Sequence, residues 1–121
     1  MAASAGINVI VELLGLGKIQ SFVDRFNLTT TPTRAHYNYR QMATNNTAEA
    51  IDLGGVSTVG VIILKAVTNS GNIDTSFSAS FNAELSLPAG EISVFKPSGT
   101  VYINSVESDE KVTYEYLVIG T

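Results

Sequence analysis

A single histidine, His36, limits the chemistry open to this chain. Proton relays and transition-metal centres near neutral pH draw most often on imidazole. With one ring and no cysteine, a multi-histidine metal site, a thiolate zinc site and a cysteine nucleophile are all excluded. A Ser-His-Asp relay has the residue types it needs, but no nucleophile elbow or other local motif marks a serine for that role. His36 alternates with Asn38 and Arg40 on the polar face of an extended segment. It is expected to be a solvated or interface side chain, and no catalytic residue is assigned.

Carboxylates gather at Glu107, Asp109 and Glu110, a set of hard oxygen ligands that could hold calcium weakly. The plainer reading is a solvated hairpin loop, and no metal is assigned. Asn69, Asn72 and Asp74 surround Gly71, but their spacing fits no calcium-loop pattern and they read as turn formers. Gly15 with Gly17, and Gly54 with Gly55, lack the downstream Lys-Ser or Lys-Thr of a phosphate loop, so they too read as turns. Tyr37, Tyr39, Tyr102, Tyr114 and Tyr116 could form an aromatic platform for a sugar. Packing at a core edge or a subunit contact competes with that reading. No cofactor is called for, and the chain is expected not to be an enzyme.

The elements that carry these residues are strands. The 121 residues suit one domain, 1–121, and 45% of them are apolar, enough for a real core without metal or disulfide. Charged residues make up only 15% of the chain, against about 25% in typical soluble domains. Charge is depleted in interface cores, so a polar but weakly charged surface suits a protein largely covered by neighbours. The net charge of −4 and the scattered basic residues argue against nucleic acid as a partner. No Lys or Arg precedes the first apolar run, and Asn8, Glu12 and Gly15 interrupt it; neither a secretory leader nor a membrane span is expected. Folding in a reducing cytosol follows from the absence of cysteine. The acceptor patterns at Asn27-Leu28-Thr29 and Asn45-Asn46-Thr47 are then chance.

Period-2 alternation dominates the chain. From Ile7 to Leu14 one face carries Ile7, Val9, Val11 and Leu13, all apolar. A helix is the rival reading of that segment, since Ile7, Ile10, Val11 and Leu14 also fit a 3.6 spacing; the β-branched residues and nearby glycines favour a strand. Lys18 to Leu28 alternates less cleanly and suggests a strand buried on both faces or carrying a bulge. Pro32 marks an extended connector, and Ala35 to Thr44 reads as a strand with Tyr37 and Tyr39 on one face. Val59 to Val67, the most apolar stretch, reads as a central strand covered on both sides. Strands are further expected at Glu91 to Phe95, Thr100 to Val106 and Val112 to Ile119, separated by Lys96-Pro97-Ser98-Gly99 and the acidic loop. The pattern amounts to roughly eight or nine short strands and no long helix, an all-β antiparallel β-sandwich, jelly-roll-like.

The later half of the chain, 56–121, resembles small β-sandwich virion proteins of tailed bacteriophages, namely capsid decoration (cement) proteins and fibre head domains. The resemblance lies in the run from Val61 to Asn69, in Leu87-Pro88-Ala89-Gly90-Glu91, in Val94-Phe95-Lys96-Pro97, in Gly99-Thr100-Val101-Tyr102-Ile103 and in the closing strand Val112 to Ile119. It implies a non-enzymatic virion structural protein on the capsid surface, made in the bacterial cytoplasm, with the major capsid protein as partner and a homotrimer as the favoured oligomer. In that arrangement residues 1–33 would serve as an N-terminal arm or attachment segment. The alternative is a receptor- or glycan-binding domain of a fibre or lectin type. Ile7, Val9, Val11 and Leu13 are the candidate interface residues, because an apolar stripe of this kind is normally covered.

Overall fold

A computed structural model describes residues 3–15, 20–67, 71–105 and 111–121. Those residues form ten strands and no helix. Two of the strands, β1 (Gly6–Leu13) and β2 (Gln20–Asn27), pair only with each other. The remaining eight build two four-stranded antiparallel sheets. β3 (Arg34–Gln41), β5 (Val59–Ala66), β8 (Ile92–Phe95) and β10 (Thr113–Gly120) form the first, in the order β3-β10-β5-β8. β4 (Glu49–Ala50), β6 (Ile73–Ser76), β7 (Leu85–Leu87) and β9 (Tyr102–Asn104) form the second, in the order β4-β9-β6-β7.

The pairings follow one rule. β3 pairs β10, β4 pairs β9, β5 pairs β8 and β6 pairs β7, so the chain from β3 onward is a long antiparallel ribbon doubled at the β6-β7 turn. Rolling that ribbon up brings β10 against β5 and β9 against β6, which completes both sheets. This is the jelly roll expected from the alternation. Except at the β6-β7 turn, successive strands of the ribbon fall in opposite sheets, so each sheet's inner face draws on residues far apart in sequence.

Between the sheets lies the core. β5 contributes Ile62, Leu64 and Ala66, β10 contributes Tyr114, Tyr116 and Val118, and the second sheet contributes Ile73, Leu87 and Ile103. β10 alternates half-buried and buried along its whole length, the expected signature of a strand with one face in the core. β5 sits inside its sheet and is half-buried even on its outer face, in keeping with the central strand read from 59–67. Gly120 is required by the close approach of the 56–58 segment: a Cβ there would stand 2.0 Å from the Thr58 carbonyl oxygen. Backbone bonds in both directions between Thr58 and Thr121 hold that approach.

Three expectations are corrected. The helical alternative for Ile7 to Leu14 is overturned, because the segment is a strand. The strand after it is neither buried on both faces nor bulged: β2 is exposed from Phe22 to Asn27 and runs in unbroken register with β1. Asp74 is not a turn former but a buried residue of β6, where it accepts a hydrogen bond from the Ser86 hydroxyl at 2.8 Å. Asn69 and the acidic set Glu107, Asp109 and Glu110 lie outside the described residues.

Candidate interaction surface

Strand β3 is where polarity and burial part company. Its pairing with β10 sets His36 opposite Val118, Asn38 opposite Tyr116 and Arg40 opposite Tyr114. Directly opposed residues share a face, so the polar set turns toward the sandwich interior while Tyr37 and Tyr39 point outward. His36 is therefore half-buried rather than solvated, with Nε2 shielded from solvent and 4.0 Å from an Asp52 carboxylate oxygen. Its ring meets Tyr116 edge-on at 6.1 Å between centroids.

These inward polar groups form a seam that ties the two sheets along one side. Arg40 donates to Glu49 through Nε at 2.8 Å and through its terminal nitrogen at 3.1 Å, a forked contact from the first sheet to the second. The Tyr114 hydroxyl donates to the same carboxylate at 2.8 Å, and the Ala43 amide adds a bond at 3.4 Å. Burial alone would push the Glu49 carboxyl up, but the Arg40, Tyr114 and Ala43 donors together outweigh it and hold the group below its ordinary value. Burial, reinforced by the neighbouring carboxylate, pushes the Tyr114 phenol well above the usual range. Tyr116 is raised chiefly by burial, and its hydroxyl donates to the Asp52 carbonyl at 2.8 Å. Arg40, Glu49, Tyr114 and Tyr116 are held by these bonds, which suits a structural latch, whereas the shielded Nε2 of His36 has no hydrogen-bond partner among the described residues.

The five tyrosines accordingly do not make one platform. Tyr114 and Tyr116 stack inside the core with 5.8 Å between ring centroids. Tyr102 is half-buried on the second sheet, and only Tyr37 and Tyr39 face solvent. The Tyr37 hydroxyl donates to Glu115 at 2.5 Å, and that hydrogen bond is the main reason its phenol is raised. Lys65 stands 3.8 Å from the same carboxylate. Around this polar centre the outer face of the first sheet is apolar, with Ile63, Leu117, Ile92 and Val94.

The hairpin β1-β2 stands outside the roll. On one face Ile7, Val9, Val11 and Leu13 are joined by Phe26 opposite Ile7, Asp24 opposite Val9 and Phe22 opposite Val11. Of the four residues expected to form an interface, Ile7 and Val9 are half-buried near the body, while Val11 and Leu13 are exposed. The other face is also uncovered: Ile10 and Val23 sit directly opposite each other, 68% and 70% exposed. Where the hairpin meets the roll a cleft of about 430 Å³ opens between Val9, Phe26 and Leu28 on one wall and Val61, Val94 and Lys96 on the other.

Single-strand reading found β1 but missed that Phe22, Phe26 and Val23 belong to the same exposed element. A signal was present in Gly15, a turn residue at φ +86° that stands between two apolar runs of matching length. Among the described residues no group of three or more His, Asp or Glu comes together in a way that could hold a metal ion. No protein-family model, curated protein or solved structure matches this chain.

Proposed function

We propose that this chain is a non-enzymatic structural subunit of a phage particle that binds the outside of the capsid and stabilises it. The observation that carries the reading is the hairpin: a two-stranded ribbon outside the roll that leaves Val11, Leu13 and Phe22 exposed on one face and Ile10 and Val23 exposed on the other. Isolated hairpins are marginal in water, and large exposed apolar patches on soluble proteins mark association sites. A chain that leaves apolar side chains exposed on a hairpin outside its roll is built to adhere. Jelly rolls serve both as virion and as lectin domains, so the fold alone does not choose between them; the arm favours a subunit held on a protein shell, with the major capsid protein as its partner.

Imaging the particle that carries the chain tests this reading. A capsid stabiliser will occupy the shell in copy numbers comparable with the shell protein, and its removal will lower the temperature at which the particle releases its genome. Confinement to the tail or fibres overturns it in favour of the second reading, a glycan-binding fibre domain. That alternative rests on Tyr37 and Tyr39, two exposed rings side by side on a flat face beside the Glu115 carboxylate.

A further inference from the structure

We propose that the open edge of β1 pairs with the same edge of a second copy, antiparallel and centred on Ile10, so that the hairpins of two copies join into one continuous sheet. The inference goes beyond the capsid reading and does not depend on it.

Backbone geometry decides which groups stand free. β1 and β2 pair only with each other, and the Leu28 amide donates to the Ala5 carbonyl at 3.0 Å. Bonding alternates along an antiparallel ladder, and the register runs on from Gly6 opposite Asn27, so Ile7, Val9 and Val11 direct their backbone groups at β2. Asn8, Ile10 and Glu12 direct theirs at the open edge, and all three residues are exposed. A long apolar edge without Pro or Lys is a template for another strand, and a lone hairpin gains stability from one. The β2 edge is better protected: it carries Arg25 beside Asp24, and self-pairing about Val23 would set Phe22 against Asp24.

The edge is complementary to itself. Around Ile10 the strand has the same pattern in both directions: Val9 and Val11, then Asn8 and Glu12, then Ile7 and Leu13. Two copies centred there keep their apolar faces on one side, set Val11 against Val9 and Leu13 against Ile7, and form about six new backbone hydrogen bonds. Charge fixes the same register. The Arg25 guanidinium lies across β1, in the space a side chain on Gly6 would fill, held by the amide oxygens of Asn8 at 3.4 Å and Asn27 at 3.3 Å. Neither Arg25 nor Glu12 has an ion pair among the described residues. Pairing about Ile10 brings the neighbour's Glu12 opposite Asn8 and within reach of that guanidinium, and the two-fold axis repeats the contact. Within one chain Glu12 lies opposite Ser21 and Arg25 opposite Asn8, too far apart along the hairpin to meet.

The full-length chain should sediment as a dimer at micromolar concentration. Ile10→Pro removes an N–H that the hairpin itself does not use, so it should give a monomer with an unchanged strand-rich circular dichroism spectrum. Glu12→Arg should weaken association about tenfold, and adding Arg25→Glu should restore it, a rescue that decides the matter even where the proline variant fails to fold. Mild oxidation of Ile10→Cys should cross-link the dimer, because the chain has no other thiol and directly opposed α-carbons lie within the span of a disulfide. Val23→Cys, similarly exposed on the neighbouring strand, should not cross-link. A monomer at high micromolar concentration, a trimer, a dimer indifferent to both Ile10→Pro and Glu12→Arg, or equal cross-linking through positions 10 and 23 overturns the inference. Particle binding is scored separately: a dimer that ignores particles defeats only the capsid reading, and a monomer that coats them defeats only the edge pairing.

Discussion

Arg40 and Glu49 grip each other across the two sheets, the guanidinium Nε 2.8 Å from one carboxylate oxygen and its terminal nitrogen 3.1 Å from the other. Such forked pairs give geometric specificity as well as attraction. Here the carboxylate also accepts from Tyr114, so removing Arg40 leaves a largely buried acid short of a donor. Arg40→Ala is expected to cost about 1–3 kcal/mol in chemical denaturation, more than an exposed pair contributes. A double-mutant cycle with Tyr114→Phe should show coupling through Glu49; additive losses would place the two contacts in independent sites.

Stability should fall away at both ends of the pH scale, for different residues. Glu49 is held below its ordinary 4.5 in the folded chain, so its contribution is present above that value and is lost as pH falls through the lower folded value. Tyr114 is raised above its ordinary 10.0, so its contribution is present below pH 10 and is lost as pH rises beyond it. Glu49→Gln should flatten the acid limb of a stability-against-pH curve, and Tyr114→Phe the alkaline limb. An acid limb of unchanged slope in Glu49→Gln would assign that limb to other carboxylates.

Gly54 turns with φ +59° directly over the His36 ring, where a Cβ would come within 2.1 Å of the ring carbon Cγ. Gly54→Ala therefore meets both backbone strain and a clash, and a loss of about 2 kcal/mol or more is expected. Adding His36→Ala removes the ring from the clash but leaves a Cβ 2.6 Å away together with the strain, so the double variant should recover only part of the loss. A double variant no more stable than Gly54→Ala alone would locate the effect in the backbone and the Cβ contact.

Core and arm should respond oppositely to comparable truncations. Leu64 is fully buried between the sheets, and Leu64→Ala is expected to cost about 2–5 kcal/mol. Ile10 is exposed on the hairpin, and Ile10→Ser should change the unfolding free energy of the isolated chain by less than about 0.5 kcal/mol while improving solubility. A large loss on Ile10→Ser would mean that the hairpin is integral to the folding unit.

Much of the strand map was legible because alternation is a local property. Glu91 to Phe95 and Val112 to Ile119 were placed within one residue of β8 and β10, and the run 59–67 was recognised as central. The short strands β4, β6, β7 and β9 were harder to bound, since two to four residues carry little periodicity and are held by neighbours rather than by their own pattern. The candidate surface was half legible: Val11 and Leu13 are exposed as an interface requires, but Phe22, Phe26, Val94 and Lys96 join them only through pairing and packing.

The amino-acid sequence by itself determined that the chain is all-β and where its main turns fall, because both follow from the alternation of side chains and from glycine and proline at given positions. It also determined how little chemistry is open, since residue types that are missing cannot be supplied by folding. Which face of a strand looks inward was decided only by tertiary structure. On β3 the tyrosines look like the core face, yet pairing with β10 turns His36, Asn38 and Arg40 inward, where Asn38 donates to the distant Tyr116 and Arg40 to Glu49. On the hairpin the same alternation that builds a core elsewhere leaves Ile10, Val23 and Phe22 in solvent, because the eight strands from β3 onward close the roll among themselves and β1 and β2 pair only with each other. Burial is a property of what lies opposite a residue, and across a rolled ribbon that neighbour is dozens of residues away.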